Sequence, residues 1–190
     1  MTRKEQKEER KKAILMTALN LFVEKGYYDT KIADIASAVP MSTGLMFHYF
    51  ESKEELLLEL VKMGVEGTKS ASTADLADIP ADVYLTKFLE QLFSYAKEQP
   101  WVFNMFVLMG QVRRKGMPEE ARQIALSVGS VEATSMLIAK GQKDKIFREG
   151  DPLLMARCYW ASVQGIMEEM AMDKSMKAPD PEWIVSMLKG

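Results

Sequence analysis

Apolar residues recur three and four apart along most of the chain, the spacing that places them on one face of an α-helix, and alternating strand-like stretches are almost absent. Ile14, Leu15, Ala18, Leu21 and Phe22 form one such stripe, which closes at Gly26 after Lys25, where glycine ends a helix readily and a cation suits its C-terminus. A turn at Tyr28 and Asp29 leads to Thr30, the expected N-cap of a short helix that runs to Ala38 and buries Ile32, Ile35 and Ala36. Val39, Pro40 and Met41 interrupt it. Ser42 caps a further short helix reaching about His48, and Ser52 with Glu55 forms a capping-box pattern ahead of a leucine-rich helix.

The stretch from Thr68 to Asp82 is rich in Ser, Ala, Asp and Pro, which favours a loop or a frayed helix end. Helical spacing returns over residues 81–97, 101–114, 118–143, 152–172 and 181–189, with prolines at 100, 118, 152 and 181 near the helix starts, where a missing N–H costs nothing. The chain therefore reads as an all-α protein. A three-helix module over residues 1–57, which includes the start of a connecting helix, precedes a larger five-helix domain over residues 58–190.

Composition narrows the classes. With 190 residues, 47% of them hydrophobic and 27% charged, this is ordinary globular material. The net charge of −2 means that any affinity for nucleic acid must come from a local patch. Arg3, Lys4, Lys7, Arg10, Lys11 and Lys12 offer one, but Glu5, Glu8 and Glu9 interleave with them, and a mixed run reads as a solvated helix face before it reads as a binding arm. Cys158 is the only cysteine, which excludes an intrachain disulfide and a multi-cysteine zinc site. No apolar run long enough to span a bilayer is present, so a cytoplasmic protein with no membrane association is expected. One histidine, one cysteine among apolar neighbours and no glycine-rich phosphate loop leave no nucleophile and base pair, and neither an enzyme nor a cofactor or metal is expected.

Residues 30–57 contain the one local pattern that carries chemistry: a short helix, a tight turn and a second short helix. In such a pair the first helix braces the second, whose outer face can enter a major groove. Met46, Tyr49 and Phe50 share the inward side, leaving Thr43, Gly44, Leu45, Phe47 and His48 outward, where small and polar residues permit close approach to base edges and phosphates.

From residue 10 to residue 57 the chain resembles the DNA-binding domain of the TetR/AcrR family. The correspondence runs through Ile14, Ala18, Phe22, Gly26 and Tyr27, then Thr30, Asp34, Ile35, Ala36, Ser42, Gly44, His48, Tyr49, Phe50, Ser52, Lys53, Glu54, Leu56 and Leu57. The resemblance implies a homodimer on double-stranded DNA, at a palindromic operator, acting as a repressor that a small ligand releases. DNA contacts are then expected from Thr30, Lys31, Ser42, Thr43, Gly44, Leu45, Phe47, His48, Tyr49 and Lys53. Lys53 lies in the first turn of a helix whose free N–H groups attract phosphate. Two positions depart from the family pattern. Pro40 stands where glycine is usual, so the turn must be built differently, with Val39 pushed toward an extended conformation. Phe47 stands where tyrosine is usual, which shifts affinity onto His48, Tyr49 and Lys53 and leaves Phe47 or Leu45 to meet a thymine methyl. These departures also motivate the alternative of a dimerising protein-interaction module without DNA binding.

In the larger domain, residues 101–109 are apolar nearly all round, as in a buried helix. Trp101, Phe103, Phe106 and Met109, with Tyr159, Trp160 and Met167, are either plain core or the lining of a cavity for a small apolar or amphipathic ligand, which Asn104 and Gln164 would orient. Small residues at Cys158, Ala161, Ser162 and Gly165, and an apolar stripe of Trp183, Ile184, Met187 and Leu188, suit the dimer interface that the family places on its last two long helices. The same stripes could instead close an intrachain core.

Overall fold

The computed structural model describes residues 2–70, the last three by backbone alone, and residues 79–190. All regular structure among them is helical: α1 (Arg3–Lys25), α2 (Ile32–Ala38), α3 (Thr43–Met46), α4 (Lys53–Ser70), α5 (Ala81–Glu98), α6 (Trp101–Val112), α7 (Glu119–Leu126), α8 (Ser130–Lys143), α9 (Pro152–Met172) and α10 (Pro181–Ser186). The all-α expectation, with an N-terminal helix-turn-helix and a larger helical body, is met. Most of the loop expected between Thr68 and Asp82 lies outside the described residues; its last two positions, Ala81 and Asp82, open α5.

Two compact units are present. One runs up to Val65 and takes in Val107–Leu126, while the other comprises Glu66–Phe106 and Ser127–Gly190. The boundary expected after residue 57 falls inside α4.

Beyond residue 80 there are six helices where five were expected, because residues 118–143 form α7 and α8 with a break at Ser127, Val128 and Gly129, α7 falling in the first unit and α8 in the second unit. The core of the second unit is built on the stripe Ala81, Leu85, Leu89, Phe93 and Ala96 of α5, against Met155, Tyr159, Val163 and Met167 of α9, Leu137 and Ile138 of α8, and Ile184, Val185 and Leu188 at the C-terminal end. Leu89 is fully enclosed; cutting such a side chain to alanine costs roughly 2–5 kcal/mol. Gly141 on α8 is required by packing, since a Cβ there would lie 2.3 Å from the Phe147 ring and 3.1 Å from the Ala81 methyl. The starts of α9 and α10 follow the proline signals, each carrying proline in its first turn, and Asp151 and Asp180 accept from their first free N–H groups.

Candidate nucleic-acid interface

In the first unit, α1 buries Ile14, Ala18, Leu19 and Phe22 and ends at Gly26, whose φ of 88° admits glycine with little strain. Leu19 belongs to this buried face, while Leu15 and Leu21 are only half-buried. The Phe22 ring meets Tyr27 edge to face at 5.3 Å, and burial, helped by Glu54, pushes the Tyr27 phenol up to about 12, so it stays neutral.

Thr30 is placed differently from expectation. It is fully buried, and its hydroxyl donates to the carbonyls of Gly26 at 2.8 Å and Leu21 at 3.1 Å, tying off the end of α1. The N-cap of α2 is Lys31, whose backbone N–H donates to Asp34 at 3.0 Å and whose side chain is exposed. Lys53 is likewise turned into the module. Its ammonium donates to the carbonyls of Tyr27 (2.7 Å), Thr30 (2.9 Å) and Tyr28 (3.3 Å), and lies 4.4 Å from the Tyr27 ring centroid. An ammonium has three N–H donors, and all three are engaged. Burial lowers the Lys53 pKa from its ordinary value, and Asp29 works in the opposite direction.

The turn after α2 closes without a left-handed residue. Val39 has φ −97° and ψ 24°, not the extended conformation expected ahead of Pro40, because its N–H still donates to Ile35 at 3.1 Å and holds it on the last helical turn. The N–H of Met41 then reaches back to Ala36 at 3.0 Å. Proline takes the place usually given to glycine because nothing in this path requires a positive φ.

Ser42 caps α3 as expected, accepting from Leu45 N–H at 3.1 Å. Helical geometry ends at Met46, and tighter bonds from His48 to Leu45 (3.1 Å) and from Tyr49 to Met46 (2.9 Å) carry the chain on. Met46 and Phe50 are buried and Tyr49 half-buried, whereas Ser42, Thr43, Gly44, Leu45, Phe47 and His48 are exposed. Phe47 shows 50% of its surface and Leu45 39%, an unusual outlay of apolar area on so small a module. Ser52 accepts from Glu55 N–H at 3.0 Å, but the Glu55 carboxylate returns to the Glu51 N–H at 2.5 Å, one residue earlier than a capping box would place it.

Of the ligand candidates in the second unit, Phe103, Tyr159 and Met167 lie in its core, with Trp101, Phe106 and Trp160 packed against it; Met109 falls in the first unit. Trp160 donates to Thr134 at 2.9 Å, and the Gln164 amide donates to Phe106 O at 2.9 Å and Glu168 at 2.7 Å. Asn104 is half-buried. Tyr159 is fully buried, and its hydroxyl has no hydrogen-bond partner among the described residues. Sequence reasoning valued Tyr159 for its ring; the orphan hydroxyl has no sequence signal. On the C-terminal helices, Ile184 and Leu188 are absorbed into the core, while Trp183 shows 71% of its surface and Leu154 56%. Cys158, Ala161 and Gly165 form an exposed strip of small residues between Leu154 and Met172 on α9.

Residues 14–60 match the model for bacterial regulatory proteins of the tetR family. The chain is 44% identical over 124 residues to the uncharacterized HTH-type transcriptional regulator YuxN of Bacillus subtilis, a match that takes in 63% of this chain and 40% of YuxN, so the chain spans well under two thirds of that relative. It superposes on the TetR-family regulator PfmR of Thermus thermophilus with a TM-score of 0.70 and 25% identity, covering 92% of this chain and 93% of PfmR. AibR, solved with isovaleryl coenzyme A and operator DNA, shares the fold at a TM-score of 0.73 and 20% identity, over 94% of this chain and 97% of AibR. A helix-turn-helix with its outer face bare, the matched family model and the PfmR likeness agree: residues 14–60 carry the helix-turn-helix of the tetR family of bacterial regulatory proteins, in a chain that shares the helical fold of PfmR.

Proposed function

We propose that the chain is a transcriptional repressor that binds a palindromic operator as a homodimer and leaves it when a small apolar or amphipathic ligand occupies the larger domain. Residues 1–57 take the DNA, and residues 58–190 take the ligand and the second copy. The observation that carries the reading is the exposed run Ser42, Thr43, Gly44, Leu45, Phe47 and His48, held out by the buried Met46 and Phe50. Direct contacts fall to these residues with Lys31 and Tyr49, while Thr30 and Lys53 act by holding the module in shape. Phe47 and Leu45 are suited to a thymine methyl and His48 to a base edge or phosphate.

Exposed Trp183 and the small-residue strip on α9 support a second copy as the dimer partner. The apolar surroundings of Tyr159, with one unpaired hydroxyl among them, support a ligand with an apolar body and a hydrogen-bonding group. AibR, which carries an acyl-coenzyme A and its operator, is a relative in fold whose ligand has that amphipathic character. A ligand of this kind regulates only by binding the released state more tightly than the DNA-bound one, and a coupling of about 1–3 kcal/mol suffices.

The test is selection of duplexes from a randomised library by the full-length protein, followed by titration of the selected sequence with wild type and His48→Ala. The expected result is a symmetric site, bound by one dimer and weakened at least tenfold by the substitution. Failure to enrich any duplex would refute the reading.

A further inference from the structure

We infer that the N-terminal half of α1 is a second DNA-binding element, which grips the phosphodiester backbone flanking the bases met by α3. The inference rests on the function proposed above. As a linear run, residues 3–12 look like mixed charge; the helix sorts them. Arg3, Gln6, Lys7 and Arg10 recur at the spacing of one helical face and line an open groove of about 870 Å³, whose other wall is Val39 and Tyr49 of the helix-turn-helix. The acids lie mostly elsewhere: Glu5 is turned to the Thr2 N–H in a capping box, Glu8 is outside the groove, and only Glu9 lines it. Lys11 is also off this face, 3.8 Å from Glu59.

Three observations point to a duplex backbone. Arg3, Lys7 and Arg10 make no ion pair among the described residues, so their charges face the groove uncompensated except by Glu9. From Arg3 to Arg10 the helix rises about 10 Å, which matches roughly three phosphates of one strand when measured along the duplex axis and exceeds the reach of a single small anion. Tyr49 joins this groove to the exposed run ending at His48, so one strand can pass from α3 to α1 without leaving the protein surface. The buried face of α1 begins only at Ile14 and residues 2–10 are all exposed, so the first two turns add nothing to the core, yet a capping box at Thr2 keeps them helical.

The experiment uses full-length protein and the library-selected duplex, both alone and lengthened by about six base pairs of arbitrary sequence on each side. Wild type is expected to bind the longer duplex more tightly and with a steeper dependence on salt. The triple variant Arg3→Gln, Lys7→Gln, Arg10→Gln should lose that gain, flatten the logarithmic salt slope by up to about three units per head, and keep the base preference and melting temperature. Glu9→Gln should strengthen binding to the longer duplex only, and Lys12→Gln, on the far face, should change little. An unchanged slope and flank gain in the triple variant, on a duplex that wild type binds, would overturn the inference alone. Equal losses from Lys12→Gln and the triple variant would overturn it too, as an effect of net charge. If wild type enriches no duplex, this inference and the proposed function fall together.

Discussion

The ammonium of Lys53 lies 2.7 Å from the carbonyl oxygen of Tyr27, joining the first turn of α4 to the segment just beyond α1. With Tyr28 and Thr30 also accepting, the cation gathers three carbonyls of one loop, and charge-assisted bonds of this kind contribute about 1.5–3 kcal/mol each when well shielded. Lys53→Ala is therefore expected to destabilise the first unit by about 1–3 kcal/mol and to speed hydrogen exchange at Thr30 and Lys31. The salt slope of duplex binding should stay the same, because no phosphate contact is lost. Lys53→Arg should not restore stability, since a planar guanidinium cannot meet three converging oxygens as a tetrahedral ammonium does. A slope reduced by about one unit in a stably folded Lys53→Ala would return this lysine to the DNA.

Gly44 sits in α3 with nothing within 4 Å of the place a Cβ would occupy. Helix propensity alone then predicts that Gly44→Ala raises stability by about 0.5–1 kcal/mol. If the exposed face meets a duplex, the added methyl should cost affinity while the protein melts higher. A variant that is both more stable and unimpaired in binding would show that the duplex does not approach here.

Asp82 and Lys189 pair at 2.8 Å, linking the first turn of α5 to the segment after α10. The Lys189 hydrogen bond holds the Asp82 carboxyl below its ordinary 3.8, and the Asp82 hydrogen bond raises Lys189 above 10.5. The stabilisation is complete above pH 3.8 and below pH 10.5; it is lost as pH falls through the lowered Asp82 value or climbs through the raised Lys189 value. With both side chains partly in solvent, Lys189→Met should cost only about 0.5 kcal/mol between those limits, and the difference should vanish in acid. Denaturant titrations of both proteins at several pH values would check this.

Tyr159 buries its hydroxyl without a partner among the described residues, and burial pushes its pKa far up, so the phenol stays neutral. Tyr159→Phe should leave stability unchanged or raise it by about 1–2 kcal/mol, since an unpaired buried hydroxyl is a net cost. A loss above about 1 kcal/mol in chemical denaturation would mean that the hydroxyl is satisfied in solution.

How far the sequence reveals this molecule varies with the interaction concerned. Ser42, Pro152 and Pro181 announce helix starts because capping and proline geometry are local, and Met46 and Phe50 announce an inward face because helical period decides it. The break between α7 and α8 is concealed: Ala121, Ile124, Ala125, Val128 and Val131 keep one helical period across it, and no proline interrupts. Long-range partners are hidden altogether. A lysine on a four-carbon stem can point to solvent or inward, so Lys53 reads as a phosphate ligand until Tyr27 and Thr30 are seen beside it. Gln164 looks like a free polar group until Phe106, 58 positions away, is found to hold it.

Pro40 gives the turn between α2 and α3 a property that no contact in the folded protein displays. Because the chain passes from Val39 to Met41 without a left-handed residue, the ring is accommodated, and its effect is felt in the disordered chain, where it removes conformations that glycine would sample. The entropy that a glycine turn surrenders on folding has here largely been given up in advance.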